Sequence, residues 1–182
     1  VCTACAELRP RFTAAVAAAV YPGLAGELIR RAKYGRDPLL AVPLGGLLAD
    51  ALARWPGRAG LTAVVPVPPS RARLRERGFH LAELVAERLA DDLGVPLRLR
   101  WLERVGDPLQ QAALPRTERR RAARGTVRVA ARAWPLPAPR VTGESVLLVD
   151  DVLTTGATAN ECARVLRSAG AASVRVAVCA RA

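Results

Sequence analysis

The chain has 182 residues and a formal net charge of +12, with 28 Lys and Arg against 16 Asp and Glu; Lys33 is its only lysine. That length holds one domain with a sizeable core and an appendage, and no apolar run is long enough to span a bilayer as a helix. The basic balance favours polyanionic partners, nucleic acid or phosphorylated ligands, while aromatics at only 4% argue against base stacking as the mode of single-strand binding.

Cys2-Thr3-Ala4-Cys5 opens the chain with the spacing of half a structural zinc site. Residues 1–11 are read as a partial zinc-finger segment, and 12–182 as the main domain. Phe12 to Val20 is apolar but mostly alanine, and Tyr21-Pro22-Gly23 stops it early. This is a strand running into a turn rather than the core of a signal peptide, which makes the expected location cytoplasmic. Leu24 to Lys33 reads as a helix with Leu24, Leu28 and Ile29 on one face and Gly35 as its stop. Pro43 introduces a second helix, Leu44 to Arg54. Leu61 to Val67 is a strand, ended by Pro66, Pro68 and Pro69, and Ser70 to Arg77 is a basic loop. Gly78 then opens a helix from Phe79 to Leu93, where Leu81, Leu84, Val85 and Leu89 recur at helical spacing and Gly94 ends it.

Pro96 to Trp101 is read as a strand, and the arginine-rich stretch from Glu103 to Arg124 as polar. Thr126 to Val129 is another strand, and Trp134 to Pro139 an exposed connector. Four apolar residues, Val146 to Val149, have the pattern of a strand buried on both faces. A helix from Ala157 to Ala169 and a strand from Ser173 to Cys179 complete the chain. Cys162 and Cys179 fall on that helix and strand as small core residues. Strands alternating with helices predict an α/β fold with a doubly wound, mostly parallel sheet.

The chemistry concentrates after Val149. Asp150 and Asp151 sit where the strand should end, the position where open α/β sheets bind ligands. The turn Thr154-Thr155-Gly156-Ala157-Thr158 then opens a helix. Backbone N–H groups at a helix start lack intrahelical partners, and the helix dipole adds about half a positive charge there. A phosphate is the natural occupant. Gly156 lets the backbone approach it, and the threonines add hydroxyl donors. Like charge keeps the two aspartates away from that phosphate. They suit a neighbouring diol, such as ribose hydroxyls, or a divalent cation beside it. No G-x-x-x-x-G-K-[ST] occurs, so the acids are not partners of a P-loop. A receiver domain would need an acceptor aspartate and a lysine downstream, and the only lysine is Lys33.

The segment from Val146 to Thr158 resembles the phosphoribosyl-pyrophosphate (PRPP) motif of type I phosphoribosyltransferases: apolar strand, two acids, two variable residues, Thr-Gly-x-Thr. The wider chain looks like a ComF-family protein. The shared landmarks are Cys2-Thr3-Ala4-Cys5, Lys33-Tyr34-Gly35, Val65-Pro66-Val67-Pro68, Arg73 to Phe79, Gln111-Ala112 with Glu118-Arg119-Arg120, and the PRPP motif. The family's Asn-Gln after Arg77-Gly78-Phe79 is here His80-Leu81, and no cysteine pair precedes Cys2.

The resemblance implies a type I phosphoribosyltransferase sheet and PRPP binding with Mg2+. Asp150 and Asp151 would act at the catalytic ribose, and Thr154 to Thr158 would hold the 5-phosphate. Arg71, Arg73, Arg75 and Arg77 would meet pyrophosphate. A closing loop carrying Arg116, Arg119 and Arg120 would exclude water. Zn2+ on Cys2 and Cys5 belongs to the same implication. Phosphoribosyl transfer to an unidentified acceptor is the leading activity. The alternative is a single-stranded-DNA-handling accessory protein of the competence and DNA-uptake type, with competence-machinery proteins as partners. His80 is read as a polar or capping residue, outside catalysis.

Overall fold

The computed structural model describes residues 10–105, 123–131 and 139–182. Four parallel strands form the central sheet in the order β1–β6–β5–β2, with β1 Ala14–Val20, β2 Ala63–Pro66, β5 Ser145–Leu153 and β6 Ser173–Arg181. Register is fixed by pairs such as Ala14 with Arg175, Ser145 with Ser173, and Ala63 with Val146. A short antiparallel pair, β3 Leu102–Arg104 and β4 Val127–Val129, stands apart from it.

The run Val146–Val149 shows why the sheet must be covered on both sides. All four side chains are fully buried and alternate between the two cores. Val146 and Leu148 pack with Trp101, Cys162 and Leu166 on the side of α5 Ala157–Ser168. Leu147 and Val149 pack with Ile29, Leu44, Leu48 and Val85 on the other side. That second layer consists of α1 Leu24–Gly35, α2 Ala41–Ala53 and α4 Leu81–Leu93. The doubly wound α/β expectation holds. Ile29, 1% exposed, presses α1 onto this core. Trimming it to Val should cost about 1 kcal/mol, read as a lower urea midpoint at unchanged slope.

Several boundaries differ from the expectation, each for a local reason. Residues 71–77 form a short helix, α3 Arg71–Arg77, rather than a basic loop. The Ser70 hydroxyl accepts the Arg73 N–H at 3.2 Å, a cap that makes helix the better state for an arginine-rich run. Gly78, at φ 81°, closes α3 instead of opening α4. Likewise α1 runs through Gly35, and its left-handed cap is Arg36 at φ 54°. Helix α2 starts at Ala41, so Pro43 lies in its first turn, where its missing N–H costs nothing. The strand expected over 96–101 reduces to one parallel bridge, Val64 with Leu97, because Trp101 turns into the core and the chain leaves for β3.

The side layer is tied to α5 by a buried carboxylate. Glu161 accepts the Gly125 N–H at 2.7 Å and both forks of Arg164. These bonds, led by that with Arg164, hold its carboxyl below the ordinary range. No helix among the described residues is long and apolar enough to cross a membrane.

Candidate active site

Strands β2 and β5 are neighbours, so their carboxyl ends open side by side. From β5 come Asp150 and Asp151; from β2 the chain passes through Pro68 and Pro69 into α3. The last turn of α1 and the start of α4 close the sides, and β3 faces them with Arg104. These elements enclose a cavity of about 400 Å3.

The acid pair is not left bare. Lys33, from α1, places its Nζ 2.6 Å from Asp151 Oδ2, with both side chains mostly out of water. Asp150 Oδ1 accepts the Asp151 N–H at 2.9 Å. Burial first, and the neighbouring Asp151 charge second, push the Asp150 carboxyl up to about 6; Lys33 opposes both. Two adjacent carboxylates therefore coexist because one is neutralised by a lysine and the other holds its proton more tightly.

The turn after β5 opens α5 at Gly156. Gly156 adopts φ 72° and caps α5. Thr155 Oγ1 accepts the Ala157 N–H at 3.3 Å, which fixes the turn. Thr154, Thr155, Ala157 and Thr158 line the cavity, whereas Gly156 is buried behind it.

The four arginines of α3 divide by helical spacing. Arg73 and Arg77, four apart, face the cavity. Arg71 and Arg75 do not, and Arg75 Nε donates to the Arg71 carbonyl at 3.3 Å. The Arg77 guanidinium lies 5.7 Å from the Tyr34 ring centroid, a cation–π contact that joins α3 to α1. Its Nε is buried without an acceptor. His80 Nδ1 is also buried without a hydrogen bond; Glu83 Oε1 stands 3.5 Å away. Of three such orphaned side-chain atoms among the described residues, two therefore line this one cavity. An orphaned guanidinium nitrogen in a pocket of net positive charge calls for an anionic ligand.

Three wall residues were given no role in the site from the sequence. Lys33 stood out as the only lysine and within the Lys33-Tyr34-Gly35 landmark, but neither gave it a role. His80 occupies the N-cap position of α4, but its ring caps nothing. Arg104 gave no signal; its Nε donates to the Pro68 carbonyl at 3.4 Å and steadies the loop before α3. Arg116, Arg119 and Arg120, and the zinc pair Cys2 and Cys5, lie outside the described residues. Cys162 and Cys179 are core residues as expected; burial drives both thiols up, that of Cys179 to about 12. Among the described residues no three His, Cys, Asp or Glu converge to cage a metal. Mg2+ held chiefly by a ligand's phosphates needs only one or two protein carboxylates, and Asp150 and Asp151 fit that limited role.

A parallel α/β sheet with an acid pair and a threonine–glycine turn at its carboxyl edge defines a protein with the type I phosphoribosyltransferase fold. Residues 75–182 match the family model for the phosphoribosyl transferase domain. Competence protein F of Haemophilus influenzae is 32% identical over 114 residues, covering 63% of this chain and 48% of that protein. DNA utilization protein YhgH of Salmonella typhi is 30% identical over 178 residues, covering 96% of this chain and 75% of the relative. The crystal structure of TT1426 from Thermus thermophilus covers 79% of this chain and 73% of its own, at 24% identity and a TM-score of 0.44. This chain belongs to the ComF family of phosphoribosyl transferase domain proteins. It spans about half the length of Competence protein F and three quarters of the YhgH proteins.

Proposed function

We propose that the cavity binds PRPP together with Mg2+ and transfers its phosphoribosyl group to a nucleophilic acceptor. The observation that carries this reading is the two-sided chemistry of one cavity, acids beside a phosphate turn and a buried, orphaned Arg77 Nε opposite. A ligand with a 5-phosphate, a ribose diol and a pyrophosphate has a matching group for each part. The turn and Thr158 hold the 5-phosphate, and Asp150 and Asp151 accept from the ribose hydroxyls. Arg73 and Arg77 grip the pyrophosphate by bidentate hydrogen bonds. Lys33 keeps Asp151 compensated, so that ribose binding does not force two bare carboxylates together.

In the transfer, the acceptor's lone pair forms the new bond at the anomeric carbon while the carbon–oxygen bond to pyrophosphate breaks. The electron pair leaves with pyrophosphate, whose growing charge the α3 arginines meet. Mg2+, when bound, neutralises the same leaving group. Calorimetric titration of PRPP with and without Mg2+ tests the reading. Asp151→Asn should lower affinity about tenfold, the cost of one charged hydrogen bond, with the fold intact by circular dichroism. Unchanged affinity in the variant counts against the ribose assignment.

A second reading rests on the other face of α3. Arg71 and Arg75 are exposed and outside the cavity, and the relatives' names refer to competence and DNA utilization. Phosphate-dominated binding of single-stranded DNA should weaken linearly in log–log plots against salt, with a slope of about −0.7 per contact. Replacing both residues by Ala should flatten that slope by about 1.4 if each meets one phosphate, and leave PRPP affinity unchanged. A slope that does not change removes this face from DNA binding.

A further inference from the structure

Helix α2 carries one apolar stripe too many. Its inner stripe, Leu44, Leu48 and Leu52 with Ala41 and Gly45, is buried in the core. Its outer side repeats at the same helical spacing, from Leu39 just before the helix through Val42, Pro43, Gly46 and Leu47 to Asp50. Leu39 is 75% exposed, Val42 65% and Leu47 44%. Together they leave on the order of 300 Å2 of apolar side chain in water, at the lower end of the largest patch that a monomer carries. A Cβ added to Gly46 would meet nothing within 4 Å, so another backbone can approach closely there.

The charges around the stripe identify its occupant. Residues 38–53 contain no Lys or Arg, in a chain where these make up 28 of 182 residues. Approach of two copies with a net charge of +12 is repulsive at any arginine-bearing face and least so here. Asp50, at one end of the stripe, and Arg36, at the other, are both exposed and neither has an ion-pair partner among the described residues. Asp37, next to Arg36, is committed to capping the Leu39 N–H.

We infer that α2 is a self-association face, on which a second copy of this chain docks by a two-fold axis through Pro43 with the two α2 helices antiparallel. A two-fold axis at that position sets Leu39 against the second copy's Leu47, and Arg36 against its Asp50, twice over. Isologous pairing of this kind needs only one self-complementary patch. The patch is small beside the roughly 800 Å2 per partner of standard interfaces, so the dimer is weak and exchanges quickly.

Sedimentation velocity on the 182-residue chain over a concentration series tests it, with circular dichroism and thermal unfolding as controls for folding. The wild type should dimerise as concentration rises, and Val42→Glu should remain monomeric with an unchanged unfolding temperature. Asp50→Arg should weaken the dimer at least fivefold, and adding Arg36→Asp should restore it. An unfolded or distorted variant could not produce that rescue. Asp is also tolerated in the left-handed conformation that Arg36 adopts. A chain that stays monomeric up to the highest concentration at which it remains in solution overturns the inference and leaves the stripe to another partner. A dimer untouched by Val42→Glu, or a charge swap without rescue, also overturns it.

Discussion

Replacing Asp150 by Asn should make the protein more stable and a poorer ligand binder at the same time. The carboxyl titrates at about 6 in the fold against an ordinary 3.8, because burial and Asp151 oppose its ionisation. A raised value means that the native state holds this proton more tightly than the unfolded chain does. Below about pH 3.8 both states are protonated and the site costs nothing. As pH rises through 6 the unfolded chain ionises first, and native stability falls. The size of that loss is shared among the interacting Asp150, Asp151 and Lys33, and its sign follows from the raised Asp150 value. Asparagine keeps the shape and the Oδ1 that accepts the Asp151 N–H, but never ionises. Asp150→Asn should therefore unfold at a higher temperature than wild type at about pH 7.5, with the difference shrinking towards zero near about pH 4. PRPP affinity should fall roughly tenfold or more as a charged acceptor for a ribose hydroxyl becomes neutral. Thermal unfolding at both pH values, with titration of PRPP, decides the matter. A gain in stability that does not depend on pH would mean that Asp150 is not the strained group.

Such strain is tolerable in a fold that is otherwise internally consistent, and that consistency is why most of the fold was legible. Val146 to Val149 announced a strand covered on both faces, and each of the four side chains lies in the core that alternation assigns to it. The acid pair and the threonine turn were equally plain, because their chemistry is contiguous in sequence. What stayed hidden was contributed by distant elements. Nothing local to Leu24–Gly35 says that its last turn will come to rest on Asp151, so Lys33 registered as the only lysine and as part of a landmark, without a role. Arg104 was invisible for the same reason, since its role follows from where β3 lies against the Pro68 loop. Residues 71–77 failed differently. Clustered positive charge suggested a solvated loop, whereas Ser70 and Gly78 cap a helix at its two ends. The consequence is functional, because only a helix sorts Arg73 and Arg77 into the cavity and leaves Arg71 and Arg75 outside.

That sorting makes the sharpest claim about the leaving-group side. Arg77→Ala should lower PRPP affinity by about 2–5 kcal/mol, roughly 30-fold to several thousand-fold, the range for removing one partner of a desolvated charge pair. Arg75→Ala, on the outer face of the same helix, should change it less than twofold. Stability should move little in either case. In Arg77→Ala the lost contact with Tyr34 is worth about 1 kcal/mol, and it is offset by removal of a buried Nε that has no acceptor in the free protein. Binding of ribose 5-phosphate, which lacks the pyrophosphate, should be the same in wild type and Arg77→Ala. The contrast between the two ligands separates a pyrophosphate contact from a general loosening of the cavity, because loosening would weaken both. Equal losses for PRPP and ribose 5-phosphate would assign Arg77 to holding α3 against Tyr34. No loss for either would take Arg77 off the pyrophosphate, leaving Arg73, Arg104 and Lys33 as the cations to test next.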